Sequence, residues 1–296
     1  MAKPSLVPTF DKTLLLKSPA ALRIIRPINC VMMGLAVIIG EAIALTKAPQ
    51  LCSFALGFLT GFLLMAGTMA MNDYYDLEID RINSPRRPLP SGALTSREVL
   101  AISLIACSVG LVTAAWLNVN SLIIASFSLS LMIYYNTRGK RTGFFGNVLV
   151  SMCIGLPFMF GGAAVGKIVP LLIFFALTAF TANLGREVTK GIMDVEGDRS
   201  RKVNTIAVVY GPKTASRLAA VLYLVAVCMS FAPPVLGLVR IGYIPPIVVS
   251  DMGFVTTSFS LIRKYDESNA RLSKNRVLIW MCFALLAFVA ANLGDM

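Results

Sequence analysis

The sequence predicts an all-α polytopic membrane protein, with nine transmembrane helices in one bundle around a central apolar cavity and the N-terminus in the cytoplasm. Three observations predict it. Of 296 residues, 56% are hydrophobic and only 14% charged, where a soluble domain carries about 25% charged. The apolar residues come in blocks of roughly 20, the length a helix needs to cross a bilayer; without water the backbone must bond to itself, which selects helices. The alternating short segments of a membrane barrel are absent. Finally, cation-rich and cation-poor loops alternate along the chain.

Taken in order, residues 1–26 carry Lys3, Lys12, Lys17, Arg23 and Arg26 and lack the apolar stretch of a cleavable signal. Span one covers 28–46. Span two (51–71) runs into an acidic segment, and the loop beyond holds Arg81, Arg86, Arg87 and Arg97. Spans three (98–117) and four (119–135) meet at a tight turn near Asn118. Arg138, Lys140 and Arg141 follow. Spans five (145–165) and six (168–184) are interrupted only by Gly161-Gly162 and the Gly166-Lys167 turn. The next loop holds Arg186, Lys190, Arg199, Arg201, Lys202, Lys213 and Arg217. Spans seven (214–236) and eight (243–262) flank Arg240. Arg263, Lys264, Arg271, Lys274 and Arg276 precede span nine (277–294). Trp116 and Trp280 fall near span ends, as an aromatic belt requires.

Twenty-four of the 27 Lys and Arg therefore share one face, and only Lys47, Lys167 and Arg240 lie on the other. The positive-inside rule puts the rich face in the cytoplasm and the C-terminus outside. The chain reads as a single domain over 1–296, with 1–26 a cytoplasmic segment and 27–296 the bundle. Its net charge of +12 is mainly a topology signal and also helps hold anionic lipid heads. Cations spread over five loops beneath a membrane make a poor nucleic-acid surface. All six Cys lie in spans without a CxxC pair, so neither a disulfide nor a zinc site is expected. With no His, His-based zinc sites, triads and general bases are excluded.

Against this apolar background two acidic clusters stand out. The first reads Asn72-Asp73-Tyr-Tyr-Asp76-Leu-Glu78-Ile-Asp80 and the second Asp194-Val-Glu196-Gly-Asp198. Nine of the 15 acids (73, 76, 78, 80, 98, 187, 194, 196 and 198) belong to the two segments. Asp76 and Asp80, like Asp194 and Asp198, are four apart and share one face of a helical turn. Both clusters follow even-numbered spans and so lie on the cytoplasmic side. Ordinary solvated loops do not explain the repeated spacing. A membrane ion transporter would place such acids at mid-membrane, whereas these lie at span ends. Hard-cation coordination explains both features: magnesium takes oxygen ligands and is commonly held by a few carboxylates together with substrate phosphate, and two such sites clamp one diphosphate. Arg86 and Arg87 after the first cluster, Arg186 and Lys190 before the second, and Tyr134, Tyr135, Arg138 and Lys140 in the loop after span four supply phosphate-binding cations and phenols on the same face. Each cation also serves topology.

The Asn72-xxx-Asp76-xxx-Asp80 and Asp194-xxx-Asp198 motifs, with Arg87-Pro-Leu-Pro-Ser-Gly92 and Arg186-Glu187-xx-Lys190 beside them, resemble the UbiA superfamily of intramembrane prenyltransferases over nearly the whole chain. The resemblance implies a multi-pass enzyme of the cell membrane, active on its cytoplasmic side. It would use Mg²⁺, expected as two ions, and a prenyl diphosphate donor, with Asn72, Asp76, Asp80, Asp194 and Asp198 as metal ligands. The family's Tyr-xxx-Lys pattern is imperfect here: Tyr134 has Arg138 four later, and Lys140 is five after Tyr135. Arg87, Lys190 and one of Arg138 or Lys140 are expected to neutralise the leaving group; Arg86 and Arg186 are further substrate cations. Asp73, a Tyr or departing pyrophosphate would take a proton. The opening of span one, Arg26-Pro27-Ile-Asn29-Cys30, looks like the branch that joins a second geranylgeranyl chain to the free hydroxyl of geranylgeranylglyceryl phosphate in archaeal ether lipids. Arg26 and Asn29 are then candidates for the head group of this lipid-phosphate acceptor. Aromatic-acceptor enzymes of quinone, haem or chlorophyll type share the metal motifs and are the alternative. Gly155, Gly161 and Gly162 either open room for a C20 chain or allow close helix packing.

Overall fold

The computed structural model describes residues 12–45, 51–200 and 202–291. Lys3, Lys47 and Arg201, the last residue of span one and the end of span nine beyond residue 291 lie outside the described residues. Within them the regular structure is helical: α1 (Lys12–Ile25), α2 (Pro27–Ala44), α3 (Leu51–Tyr75), α4 (Leu77–Asn83), α5 (Ser96–Leu117), α6 (Val119–Thr137), α7 (Phe144–Ala164), α8 (Pro170–Met193), α9 (Val195–Ser200), α10 (Ile206–Tyr210), α11 (Pro212–Ser230), α12 (Ala232–Val235), α13 (Ile244–Arg263) and α14 (Glu267–Ala290), with short 3₁₀ turns at Gly139–Thr142 and Ile241–Tyr243. Among the described residues, nine segments are long and apolar enough to span a membrane, and they coincide with the nine predicted spans.

Two helices outrun their spans because hydropathy marks contact with lipid and not the extent of a helix. α8 continues past residue 184 to Met193, so that Arg186, Glu187 and Lys190 ride on the helix beyond its apolar block. α14 begins at Glu267, well before residue 277; Asp266 caps it by accepting from the Asn269 N–H at 2.9 Å, and Arg271 pairs with Glu267 at 2.7 Å. Such a cap stabilises a solvated first turn by about 1 kcal/mol.

Packing divides the helices into two neighbourhoods. α2, α3, α5, α6 and α7 form one; α8, α11, α13 and α14 form the other. α7 packs on α2 and α6 with one side and on α8 with the other, and α14 closes back onto α8 and α2. Glycines set the closest approaches. A Cβ on Gly161 would lie 2.3 Å from the Val37 carbonyl oxygen, and one on Gly40 would lie 2.5 Å from that of Phe158, which marks the α2–α7 crossing. Gly155 meets the Ala176 carbonyl of α8, and Gly162 meets Leu172 and the Lys167 carbonyl. All three predicted glycines therefore serve close packing, the second of their two readings. Behind the crossing, the fully buried Glu41 accepts a hydrogen bond from Ser53 at 3.2 Å and packs over Gly57 of α3.

The apolar cavity lies among α2, α3, α6 and α7. It holds about 710 Å³ of atom-free space counted to its open side, bounded by Met33 and Val37, Leu64 and Met69, Met132 and Phe160. Its lining is almost entirely apolar, as a hydrocarbon ligand requires.

Candidate active site

The site is the cavity wall carried one turn further toward the cation-rich end. Helical side chains recur every three to four residues on one face. Thr68 and Met69 of α3 line the cavity, and the next turn of that face presents Asn72 and Asp73. Ser128, Leu129 and Met132 of α6 line it, and the next turn presents Tyr135 and Asn136. Met33 of α2 is followed, in the same sense, by Asn29 and Arg26. The apolar pocket thus opens beneath a polar collar.

The first acidic cluster is built around a helix break. α3 stops at Tyr75, Asp76 is the residue between helices, and Asp80 lies in the short α4, its N–H bonding the Asp76 carbonyl at 2.8 Å. The second repeats the arrangement: Asp194 ends α8, Asp198 lies in the short α9, and the Asp198 N–H bonds the Asp194 carbonyl at 2.7 Å. The shared i, i+4 spacing therefore reflects a shared local fold, in which each long helix delivers one Asp at its end and a second Asp one turn beyond.

Each carboxylate of the first cluster meets a cation. Asp73, only 2% exposed, accepts from Arg26 at 2.6 Å and has Arg87 at 3.7 Å. Asp76 accepts from Lys140 at 2.7 Å and from the Asn72 amide at 2.9 Å. Asp80 is bonded by Arg87. Arg26 holds its position in a left-handed backbone conformation, φ 54°, which a non-glycine residue adopts at a cost. The loop that carries Arg87 is pinned from below: Leu89 and Leu94 are buried with Ile24, Ala70 and Val99, and Gly92 turns it with φ 78°. Glu98, counted with the acids above, belongs to structure instead. It closes a capping box with Thr95 at the start of α5.

Tyr135, near the end of α6, lies in electrostatic reach of Asp76 from the first cluster and Asp198 from the second, as well as of Glu187 on α8. The Lys140 ammonium stands 5.6 Å from the centre of the Tyr135 ring while bonding Asp76. Burial pushes its pKa below the usual lysine range, and the Asp76 charge opposes that shift. A few residues on, Gly143 (φ 65°) lies so close to the segment after α9 that a Cβ would come within 1.9 Å of the Asn204 carbonyl oxygen.

Among the remaining predicted residues, Arg186 and Lys190 share Glu187 at 3.5 and 2.7 Å. Lys274 and Arg271 of α14 lie in the same electrostatic neighbourhood, so this face carries excess positive charge. Asp194 is exposed and Asp198 half-buried. Asn29 is half-buried beside Arg26, and Arg86 is exposed, its carbonyl accepting from Arg23 at 3.2 Å. Tyr134 is 43% exposed and points about 150° away from the cavity-lining face of α6; Arg138 is exposed at the C-cap of the same helix. Sequence reasoning missed Asn136, although its place four residues before Lys140 was available, and missed Lys274, whose neighbours come only from the α8–α14 packing. The contrast between the two phenol–cation pairs yields a prediction. Lys140→Met is expected to lower turnover by roughly 10²-fold, the scale for losing one charge-stabilising group, while Tyr134→Phe and Arg138→Ala stay within about twofold, as exposed substitutions do. Steady-state rates of the three variants decide it.

The donor set fits magnesium. It consists of carboxylate and amide oxygens, in a chain without histidine. Among the described residues no three acidic or Cys side chains converge into a cage. An ion here would be completed by ligand phosphate and water, the usual magnesium arrangement.

The profile of the UbiA prenyltransferase family matches residues 33–286. A digeranylgeranylglyceryl phosphate synthase of Thermococcus kodakarensis is 34% identical over 274 residues, covering 93% of this chain and 98% of the relative; that of Methanopyrus kandleri is 34% identical over 93% and 99%. A solved structure from work on digeranylgeranylglyceryl phosphate synthase in membranes superposes with a TM-score of 0.77 at 32% identity, over 93% of this chain and 98% of that one. A UbiA homologue of Archaeoglobus fulgidus bound to GPP and Mg²⁺ shares the fold, with a TM-score of 0.67 at 20% identity over 91% and 99%.

Proposed function

The chain belongs to the UbiA prenyltransferase family, and on that premise we propose that it transfers a geranylgeranyl group from geranylgeranyl diphosphate to the free hydroxyl of geranylgeranylglyceryl phosphate, using Mg²⁺ and releasing pyrophosphate. The observation that carries this reading is an Asp-bearing helix break, each of its carboxylates met by a cation, one turn beyond the wall of an apolar cavity, with Asp198 of the second break in electrostatic reach of Tyr135 at the same rim. The name of the relatives, and the GPP and Mg²⁺ in the A. fulgidus homologue, support it.

Two magnesium ions, held by Asn72, Asp76 and Asp80 on one side and Asp194 and Asp198 on the other, would neutralise the donor diphosphate. The chain's own residues do the rest. The cavity wall holds the C20 chain and keeps water from the reacting carbon. Lys140, Arg87 and Lys190 face the charge that grows on the leaving oxygen as the C1–O bond breaks, an electrostatic contribution that is often the largest in catalysis. The acceptor hydroxyl oxygen captures the allylic cation as an ether. Its proton goes to the departing pyrophosphate, which gains negative charge as the C1–O bond breaks. Arg186 and Lys274, on α8 and α14, suit the acceptor phosphate. The concentration of Lys and Arg at this end supports a site on the cytoplasmic side.

Purified protein in lipid nanodiscs with radiolabelled geranylgeranyl diphosphate tests the reading, with geranylgeranylglyceryl phosphate, 4-hydroxybenzoate and a naphthoate offered in parallel. Product is expected from the lipid acceptor; turnover of an aromatic acceptor alone would sink the proposal in favour of the quinone-type reaction. The cavity adds a second prediction. Ala125 is 1% exposed and lines the deep part of the pocket. Ala125→Phe is expected to lower kcat/KM for geranylgeranyl diphosphate about tenfold or more, the scale of overpacking, and to spare geranyl diphosphate. An equal loss for both donors would move the chain elsewhere.

A further inference from the structure

Asn136 has no part in the assignments above, and its surroundings are unusual. It is 6% exposed, and neither its Oδ1 nor its Nδ2 has a hydrogen-bond partner. A buried amide left unsatisfied destabilises a fold, and an apolar residue of the same shape would be neutral or better. Its neighbours on the chain say where it faces. Met132, one turn back, lines the cavity; Lys140, four residues on, bonds Asp76; Tyr135, beside it, carries Lys140 over its ring. Asn136 and Tyr135 flank the direction in which α6 faces the cavity, at the level where apolar wall gives way to charged rim.

We infer that Asn136 is a substrate-contacting residue, whose carboxamide donates a hydrogen bond to the first phosphate of the bound prenyl diphosphate where the chain leaves the cavity. The inference rests on the proposed prenyl transfer and deepens it. Only one part of such a donor lies at that level: the junction between its C1 carbon and the α-phosphate. A neutral donor there adds a hydrogen bond beside Lys140, which stands at the same rim over Tyr135 and bonds Asp76. Hydrogen bonds to ionised oxygens are about twice as strong as neutral ones, so ligand binding supplies the partner that the unliganded fold withholds. The alternative, a bridging water that serves structure alone, makes the opposite forecast for stability.

The test compares wild type with Asn136→Leu and Asn136→Asp in detergent. Thermal midpoints are read without ligand, and magnesium-dependent binding of geranyl and geranylgeranyl diphosphate is read without acceptor. Asn136→Leu is expected to hold or raise the midpoint and to weaken both donors by the same factor, roughly tenfold to hundredfold. Asn136→Asp, which sets a carboxylate against the phosphate, is expected to bind more weakly still. Unchanged binding in Asn136→Leu overturns the inference. So does a lower midpoint, which assigns the residue to structure, and so does a loss that grows with chain length, which assigns it to the cavity wall. Failure of the wild type to bind either diphosphate would instead remove the prenyl-transfer reading on which it rests.

Discussion

Asp76→Asn is expected to lower geranylgeranyl transfer by at least about 10²-fold, the loss seen when one preorganised charge-stabilising group is removed, and to leave the folded protein intact. The substitution keeps size and shape at the break between α3 and α4. It removes the charge toward which both the Lys140 ammonium, at 2.7 Å, and the Asn72 amide, at 2.9 Å, are turned. Asp194→Asn should act alike from the other side, since Asp194 closes α8 as Asp76 follows α3. The double variant should be little worse than either single one, because groups that act as a unit are not additive. EDTA should abolish turnover, and added magnesium should restore it. Near-normal rates in either variant, or full turnover in EDTA, would refute the magnesium clamp. A normal thermal midpoint with a collapsed rate separates this outcome from misfolding.

The reach of the sequence in this protein follows what each signal physically measures. Block hydropathy located all nine membrane segments because lipid contact demands apolar surface along a whole helix. It misjudged α8 and α14, whose extensions are charged and, in α14, capped, because a helix continues where lipid stops. The two Asp pairs were legible from spacing, yet the spacing suggested paired carboxylates on regular turns, whereas the first Asp of each pair stands at a break. The cation partners were not legible. That Arg26 answers Asp73, that Arg87 answers Asp80 and that Lys140, not Arg138, reaches Asp76 depends on chain folding across distances of up to 64 residues in sequence. Asn136 was invisible for a further reason: an amide is unremarkable in sequence and becomes informative only once burial has removed its partners.

Gly161→Leu is expected to abolish accumulation of folded protein, the largest stability effect of any substitution considered, and Gly161→Ala to lower the thermal midpoint measurably. The argument is steric. A Cβ at this position would meet backbone, not a movable side chain: the Val37 carbonyl oxygen at 2.3 Å, the Glu41 nitrogen at 2.7 Å and the Gly40 carbonyl carbon at 2.8 Å. Overpacking by one methyl costs about 1–3 kcal/mol, and an isobutyl group leaves α2 no choice but to lift from α7. Both helices bound the cavity, through Val37 on one and Phe160 on the other. Glu41 on α2, fully buried, keeps its bond to Ser53 and its place over Gly57 of α3 only while α2 stays seated. Moving α2 thus exposes a carboxyl in the membrane interior and opens the chamber that keeps water from the reacting carbon. A detergent melt of Gly161→Ala should show the lower midpoint together with a higher share of geranylgeranyl diphosphate hydrolysed without transfer. A midpoint equal to wild type would show that the α2–α7 crossing is looser than its backbone contacts require. A lower midpoint with transfer and hydrolysis in their usual proportion would separate helix packing from protection of the allylic cation.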